Sequence, residues 1–253
     1  MASHFGPCSI CGQTKKLSFE HIPPKKAFNN LPVMTSHWQD LLGARSQGEF
    51  ANVRRSIQRK GFGKHTICEK CNNDTGSWYG PSYIEWANQG AINLAYVESG
   101  RASLAFEIRP LFVFKTLVTM FASACGPNML EKNRALRRFV LDRECRSFPP
   151  DISIYGYFTS YDSTLLRQSG VSGLLNLEHD QHSVFSEITT FPFSYLLNFK
   201  GSRVPDQRLV CLDPFLKFGP EERQMLRIPL AALPVNSMFP ADFRSSEEIW
   251  NQT

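Results

Sequence analysis

Apolar residues along this chain fall first in short bursts, then at helical spacing, then in short β-like runs. Near the N-terminus, Lys16 to Glu20 reads as a short strand. Pro23-Pro24 stops it and forces an extended exit. Residues 28–63 look polar and irregular, and 64–68 suggest a second short strand. A helix is expected at or just after Cys71, and another from Pro81 to about Tyr96. Residues 102–108 read as a strand, and Pro110 suits the first turn of a helix that reaches Ala124 and ends at Gly126-Pro127. From Met129 to Arg146, Leu130, Leu136, Phe139 and Val140 form an apolar stripe at helical spacing. Beyond Pro149-Pro150 the runs Ile152–Ser160, Gly173–Leu177, Val184–Thr190, Ser194–Phe199 and Arg208–Leu212 read as strands. The class is α+β, with a soft boundary near residue 100. Residues 1–100 would form one module and 101–253 a mixed helix and antiparallel-sheet region.

Composition adds a core: 42% of the residues are hydrophobic and 20% charged, as in globular chains. The longest apolar stretch, Leu111 to Cys125, carries Lys115, Thr116, Thr119 and Ser123 and falls short of the ~20 residues a spanning helix needs. The first residues have no basic segment followed by an apolar one, so a cytoplasmic, membrane-free protein is expected. Charge adds a direction. Residues 1–80 carry 11 Lys and Arg against 5 Asp and Glu, while 151–253 carry 8 against 12. A basic N-terminal part suits a polyanion, although a solvated mixed surface would look similar.

Four of the seven cysteines form two C-x-x-C pairs, Cys8/Cys11 and Cys68/Cys71. A two-residue spacer lets both thiolates of a pair face one ion, and two pairs complete a closed tetrahedral zinc site. Redox dithiols would need a βαβ setting that the pattern lacks, and disulfides are disfavoured in the cytoplasm. Cys125, Cys145 and Cys211 sit in apolar surroundings and read as core thiols.

Between the pairs lies Glu20-His21-Ile22-Pro23, and directly after the second pair comes Asn72. Closing the zinc site brings these segments together. A carboxylate and an amide offer oxygen ligands to a hard dication. An imidazole changes charge near neutral pH and can take a proton from water. Such a set suits phosphodiester hydrolysis.

C-x-x-C, a strand ending in acid-His-Ile-x-Pro, then C-x-x-C-Asn closely resembles the HNH (His-Me finger, ββα-metal) endonuclease family on a four-cysteine treble-clef zinc scaffold. The resemblance covers residues 8 to about 80. It implies a ββα-metal module bearing structural Zn²⁺ on Cys8, Cys11, Cys68 and Cys71. His21 would be the general base, and Glu20 and Asn72 would hold a catalytic Mg²⁺ or Mn²⁺. The substrate implied is DNA, and by analogy the setting is bacterial restriction or anti-phage defence. Lys25, Lys26, Arg54, Arg55, Arg59, Lys60 and His65 are candidates for contact with nucleic acid. One departure matters. Where the family keeps a middle Asn that props the base-bearing loop, this chain has Gly63. Another group must orient His21, or the site is degraded.

Blander alternatives accompany each residue. Asn72 could merely cap a helix, and Glu20 could pair with Lys25 or Lys26. Trp78, Tyr79, Tyr83 and Trp86 fit core packing better than base stacking. The rival for the whole chain is a non-catalytic zinc-finger module binding nucleic acid or protein. Residues 101–253 carry no readable motif and leave room for a protein partner or a second copy.

Overall fold

The computed structural model describes residues 4–37, 39–40, 53–98, 104–176, 181–199 and 201–251. Strands β1 (Phe5–Pro7), β2 (Thr14–His21) and β5 (Gly63–Cys68) form an antiparallel sheet in the order β1-β2-β5. Between β2 and β5, β3 (Val33–Ser36) pairs with β4 (Arg55–Gln58). Helix α1 (Glu69–Trp78) follows β5 directly, and α2 (Gly80–Glu98) continues from it.

The centre of the molecule is α3 (Pro110–Cys125), buried at every position from Pro110 to Ser123. A helix apolar on all sides belongs in an interior. Pro110 starts it, and Gly126, at φ 82°, ends it. Around it lie β6 (Leu104–Ile108), α4 (Asn128–Glu131), α5 (Arg134–Leu141) and a second sheet. That sheet orders β7 (Ile152–Thr159), β8 (Ser172–Asn176), β9 (Gln181–Thr189), β10 (Phe193–Phe199) and β11 (Val210–Cys211) as β11-β7-β10-β9-β8. β12 (Gln224–Ile228) pairs with β6, and β13 (Ala232–Leu233) lies parallel to β7. Helix α6 (Ser246–Trp250) closes the described chain.

The mixed α+β class holds. Among the described residues, no helix is long and apolar enough to cross a membrane. The stretch expected to be irregular, 28–63, contains the β3–β4 ribbon. The helix expected over Met129–Arg146 divides into α4 and α5, because Asn133 Oδ1 accepts from Leu136 N (3.0 Å) and starts a new helix. It stops at Leu141, where Lys115 Nζ donates to the carbonyls of Phe139 (2.5 Å) and Asp142 (2.7 Å) and Tyr79 Oη donates to that of Val140 (2.8 Å). Residues 102, 103 and 177, at the ends of two expected strands, lie outside the described residues.

One continuous cluster of buried side chains includes Cys8, Cys71, Trp86, Phe114, Phe193 and Leu230. That cluster draws on residues before and after position 100. Tyr79, Tyr83 and Trp86 belong to the interior, as core packing requires.

Candidate functional site

Two knuckles meet at the base of the first sheet. Gly12, at φ 74°, closes the Cys8 loop, and its N–H donates to Cys8 O (2.8 Å). The second knuckle is the β5–α1 junction, where Cys68 N–H donates to Cys8 Sγ (3.3 Å). All four Sγ atoms of Cys8, Cys11, Cys68 and Cys71 lie within 4.8 Å of one another, and Cys11 Sγ and Cys68 Sγ are 4.0 Å apart. Tetrahedral zinc with ~2.3 Å bonds needs sulfurs about 3.8 Å apart, so the cluster fits one structural ion. None of the four is in a disulfide. A hydrogen bond from the Cys71 thiol pulls Cys8 down to about 4. The same bond, with burial, holds Cys71 far above the usual thiol range. One thiolate forms readily and the next resists, which is the electrostatic deficit a dication fills.

Above this cluster, β2 carries Glu20 and His21. Opposite β2, the β5 strand has one extra residue, Thr66, because Ser18 faces Ile67 while Phe19 faces His65. Such a bulge re-aims side chains. Thr66 Oγ1 turns inward, donating to Ser123 Oγ (2.9 Å) and Glu20 Oε2 (3.4 Å). Ser123 Oγ also donates to Glu20 Oε2. The carboxyl is thus anchored on α3, and no ion pair joins it to Lys25 or Lys26 among the described residues. Burial pushes it up to about 8, against the lowering effect of those hydrogen bonds. Its Oε1 has no hydrogen-bond partner among the described residues.

Asn72 lies inside α1, because the helix starts at Glu69 rather than after Cys71. It is not a cap. Its Nδ2 donates to Ser18 Oγ (3.1 Å) and Phe19 O (3.3 Å), which leaves Oδ1 as an acceptor unused among the described residues. His21 Nε2 lies 3.0 Å from the Lys60 carbonyl. A carbonyl only accepts, so Nε2 carries the hydrogen, and Nδ1 of the neutral ring is the acceptor.

Glu20, His21 and Asn72 line one cavity of about 380 Å³, with Lys25 and Lys26 on its rim. Thr116, Thr119 and Met120 of α3 also line it. Arg54, Arg55, Arg59 and Lys60 are exposed on or beside the ribbon, outside the cavity lining. His65 stacks on His4 with ring centroids 3.8 Å apart and meets Phe19 edge-on at 5.3 Å.

Sequence reasoning missed three members of this arrangement: Thr66, Ser123 and Asn29. Asn29 is buried and bonds both segments that flank His21 and Lys60. Only an Asn-Asn pair in a polar stretch marked it. Among models of known protein families, curated proteins and solved structures, none matches the chain. Fold and site together define a mixed α+β chain with a four-thiol cluster that could hold a structural metal, beside a His/Glu/Asn cavity.

Proposed function

We propose that the chain is a metal-dependent HNH-type endonuclease that hydrolyses phosphodiester bonds in DNA, built on a zinc-bound treble clef. The observation carrying this reading is that Glu20, His21 and Asn72 line one cavity next to the four thiols. Glu20 Oε1 and Asn72 Oδ1 are the acceptor atoms left over there, and a hard dication such as Mg²⁺ or Mn²⁺ suits them. When bound, that cation supplies positive charge for the phosphate and its leaving oxygen. His21 takes the proton of the attacking water on Nδ1, while Nε2–H remains on the Lys60 carbonyl. Lys25 and Lys26 at the rim, with Arg54, Arg55, Arg59 and Lys60 beyond it, provide the cations that hold the phosphate backbone. His65, paired with His4, is a further contact. By analogy the setting is bacterial restriction or anti-phage defence.

The test is plasmid cleavage with Mg²⁺ or Mn²⁺ beside His21→Ala. The expected result is nicking or linearisation by the parent and a loss of about 10²-fold or more in the variant. Equal cleavage by both, or none with either metal, ends the enzymatic reading.

A second reading, a non-catalytic zinc-finger module that binds nucleic acid or protein, draws on Glu20 being hydrogen-bonded into the interior. Mn²⁺ titration separates the two. A Glu20-dependent site favours the nuclease, and no Mn²⁺ binding beyond the thiol site favours the module.

A further inference from the structure

His21 is the last residue of β2, and among the described residues one hydrogen bond holds its ring, to the carbonyl of Lys60. Lys60 sits in an exposed turn between the end of β4 at Gln58 and the start of β5 at Gly63. Asn29 holds that turn. Its Nδ2 donates to Pro23 O (2.7 Å) and Phe62 O (2.7 Å), and its Oδ1 accepts from Phe62 N (2.6 Å). All three partners are main-chain groups. Pro23 is two residues past His21, and Phe62 is two residues past Lys60. One buried amide therefore spans both segments that meet at the imidazole.

The surroundings are moulded to it. Phe28, at φ 62°, is in the left-handed region that a bulky side chain avoids, and the chain turns there to bring Asn29 inward. Gly61, at φ 94°, packs on Asn29 so closely that an added Cβ would stand 2.0 Å from its carbonyl oxygen. The side chain must supply two donors and one acceptor. Asp loses both donors, and Leu loses everything.

We propose that Asn29 is the positioning residue of the cavity, fixing the orientation and tautomer of His21 through the Lys60 carbonyl. Its bearing on catalysis rests on His21 being the base; its bearing on the ring does not.

The experiment reads the ring directly. Long-range ¹H–¹⁵N spectra of the imidazoles, assigned with His21→Ala, report the tautomer of His21 in the zinc-loaded parent, Asn29→Asp and Gly61→Ala. The parent is expected to show a single Nε2–H tautomer. Both variants are expected to show a mixture, and plasmid cleavage to lose about 10²-fold in kcat with KM within about twofold. A stability role alone would lower the melting temperature and leave the tautomer fixed. An Nδ1–H tautomer in the parent, or an unchanged Nε2–H tautomer in either folded variant, overturns the proposal. An Nδ1–H tautomer in the parent overturns the proposal even if both variants fail to fold. A ring locked in the parent and loosened in Asn29→Asp, in a protein that cleaves nothing, would support the positioning role and end the nuclease reading.

Discussion

Glu20 and His21 are consecutive on one strand, yet one is buried against α3 and the other opens on the cavity rim. Their pairing was legible in the sequence because adjacency is local. Their partners Ser123, Thr66 and Lys60 were not, because each lies 39 or more residues away and reaches the site only through the fold. Glu20→Gln removes the group's capacity to ionise around a cation while keeping its shape: a Gln oxygen can still accept from Ser123 and Thr66. The variant should keep its melting temperature within a few degrees while Mn²⁺ affinity and cleavage fall at least 10-fold, as calorimetry and plasmid assays would read. Lys115 offers a test away from the site. It is fully buried, with Nζ 4.3 Å from the Phe139 ring centroid, and burial pushes it down to about 8. The folded chain therefore holds this proton less tightly than the unfolded chain, where a lysine titrates near ~10.4. Between those values the unfolded chain binds more protons, so the contribution of Lys115 to stability rises with pH across that window. Lys115→Met should flatten that rise in denaturation at pH 8 to 10. At pH 7, removing the donor leaves the Phe139 and Asp142 carbonyls short of a partner, at a cost of ~1–3 kcal/mol.

At the scale of elements, helices and central strands were readable where periodicity and punctuation agreed, as with Pro110 and Gly126 around α3. The β3–β4 ribbon was not. Its cross-strand pair Met34 and Ile57 is 65% and 68% exposed, so no buried face imposes the alternation that marks a strand. The division of α4 from α5 was hidden for a different reason. Asn133 caps locally, but the carbonyls that end α5 are taken by Lys115 of α3 and by Tyr79 at the junction of α1 and α2. On the proposed reading the ribbon is a phosphate contact, since Arg55 is exposed on it, Arg59 and Lys60 are exposed in the turn from β4 to β5, and that turn meets His21. If these cations hold phosphates, replacing all three with Ala should reduce the slope of log K against log salt by roughly 3, at ~0.9 per contact. Fluorescence anisotropy with a labelled duplex and His21→Ala protein measures this without cleavage. An unchanged slope would remove the ribbon from the interface. The Lys60 carbonyl is main chain and survives the substitution, so in the triple variant that retains His21 the ring should stay in place.

At the scale of the molecule, the four-thiol site is part of the core rather than an appendage to it. Cys8, Cys68 and Cys71 are buried in the same cluster as α3 and the second sheet, and the Glu20 carboxyl beside them is held by Ser123 from α3. The boundary suggested near residue 100 rests on a shift in composition and pattern, and neither reports whether buried side chains on its two sides share one cluster, as they do here. The physical consequence concerns cooperativity. Structural zinc contributes on the order of 10–16 kcal/mol of apparent binding free energy, which is folding free energy for the residues it organises. Where those residues share one core with the remainder, that loss should be felt by the whole chain. Scanning calorimetry of the zinc-loaded protein should therefore give one transition with matching calorimetric and van't Hoff enthalpies. Cys68→Ala should shift that same transition down rather than create a second one, and metal analysis should fall from about one zinc per chain to near none. Cys145→Ala and Cys211→Ala lie outside the cluster and should leave both readings in place. Two separable transitions in the parent, with only the lower one sensitive to Cys68, would show that the N-terminal module unfolds on its own. They would also show that the contact between Ser123 and Glu20 does not couple it to the remainder.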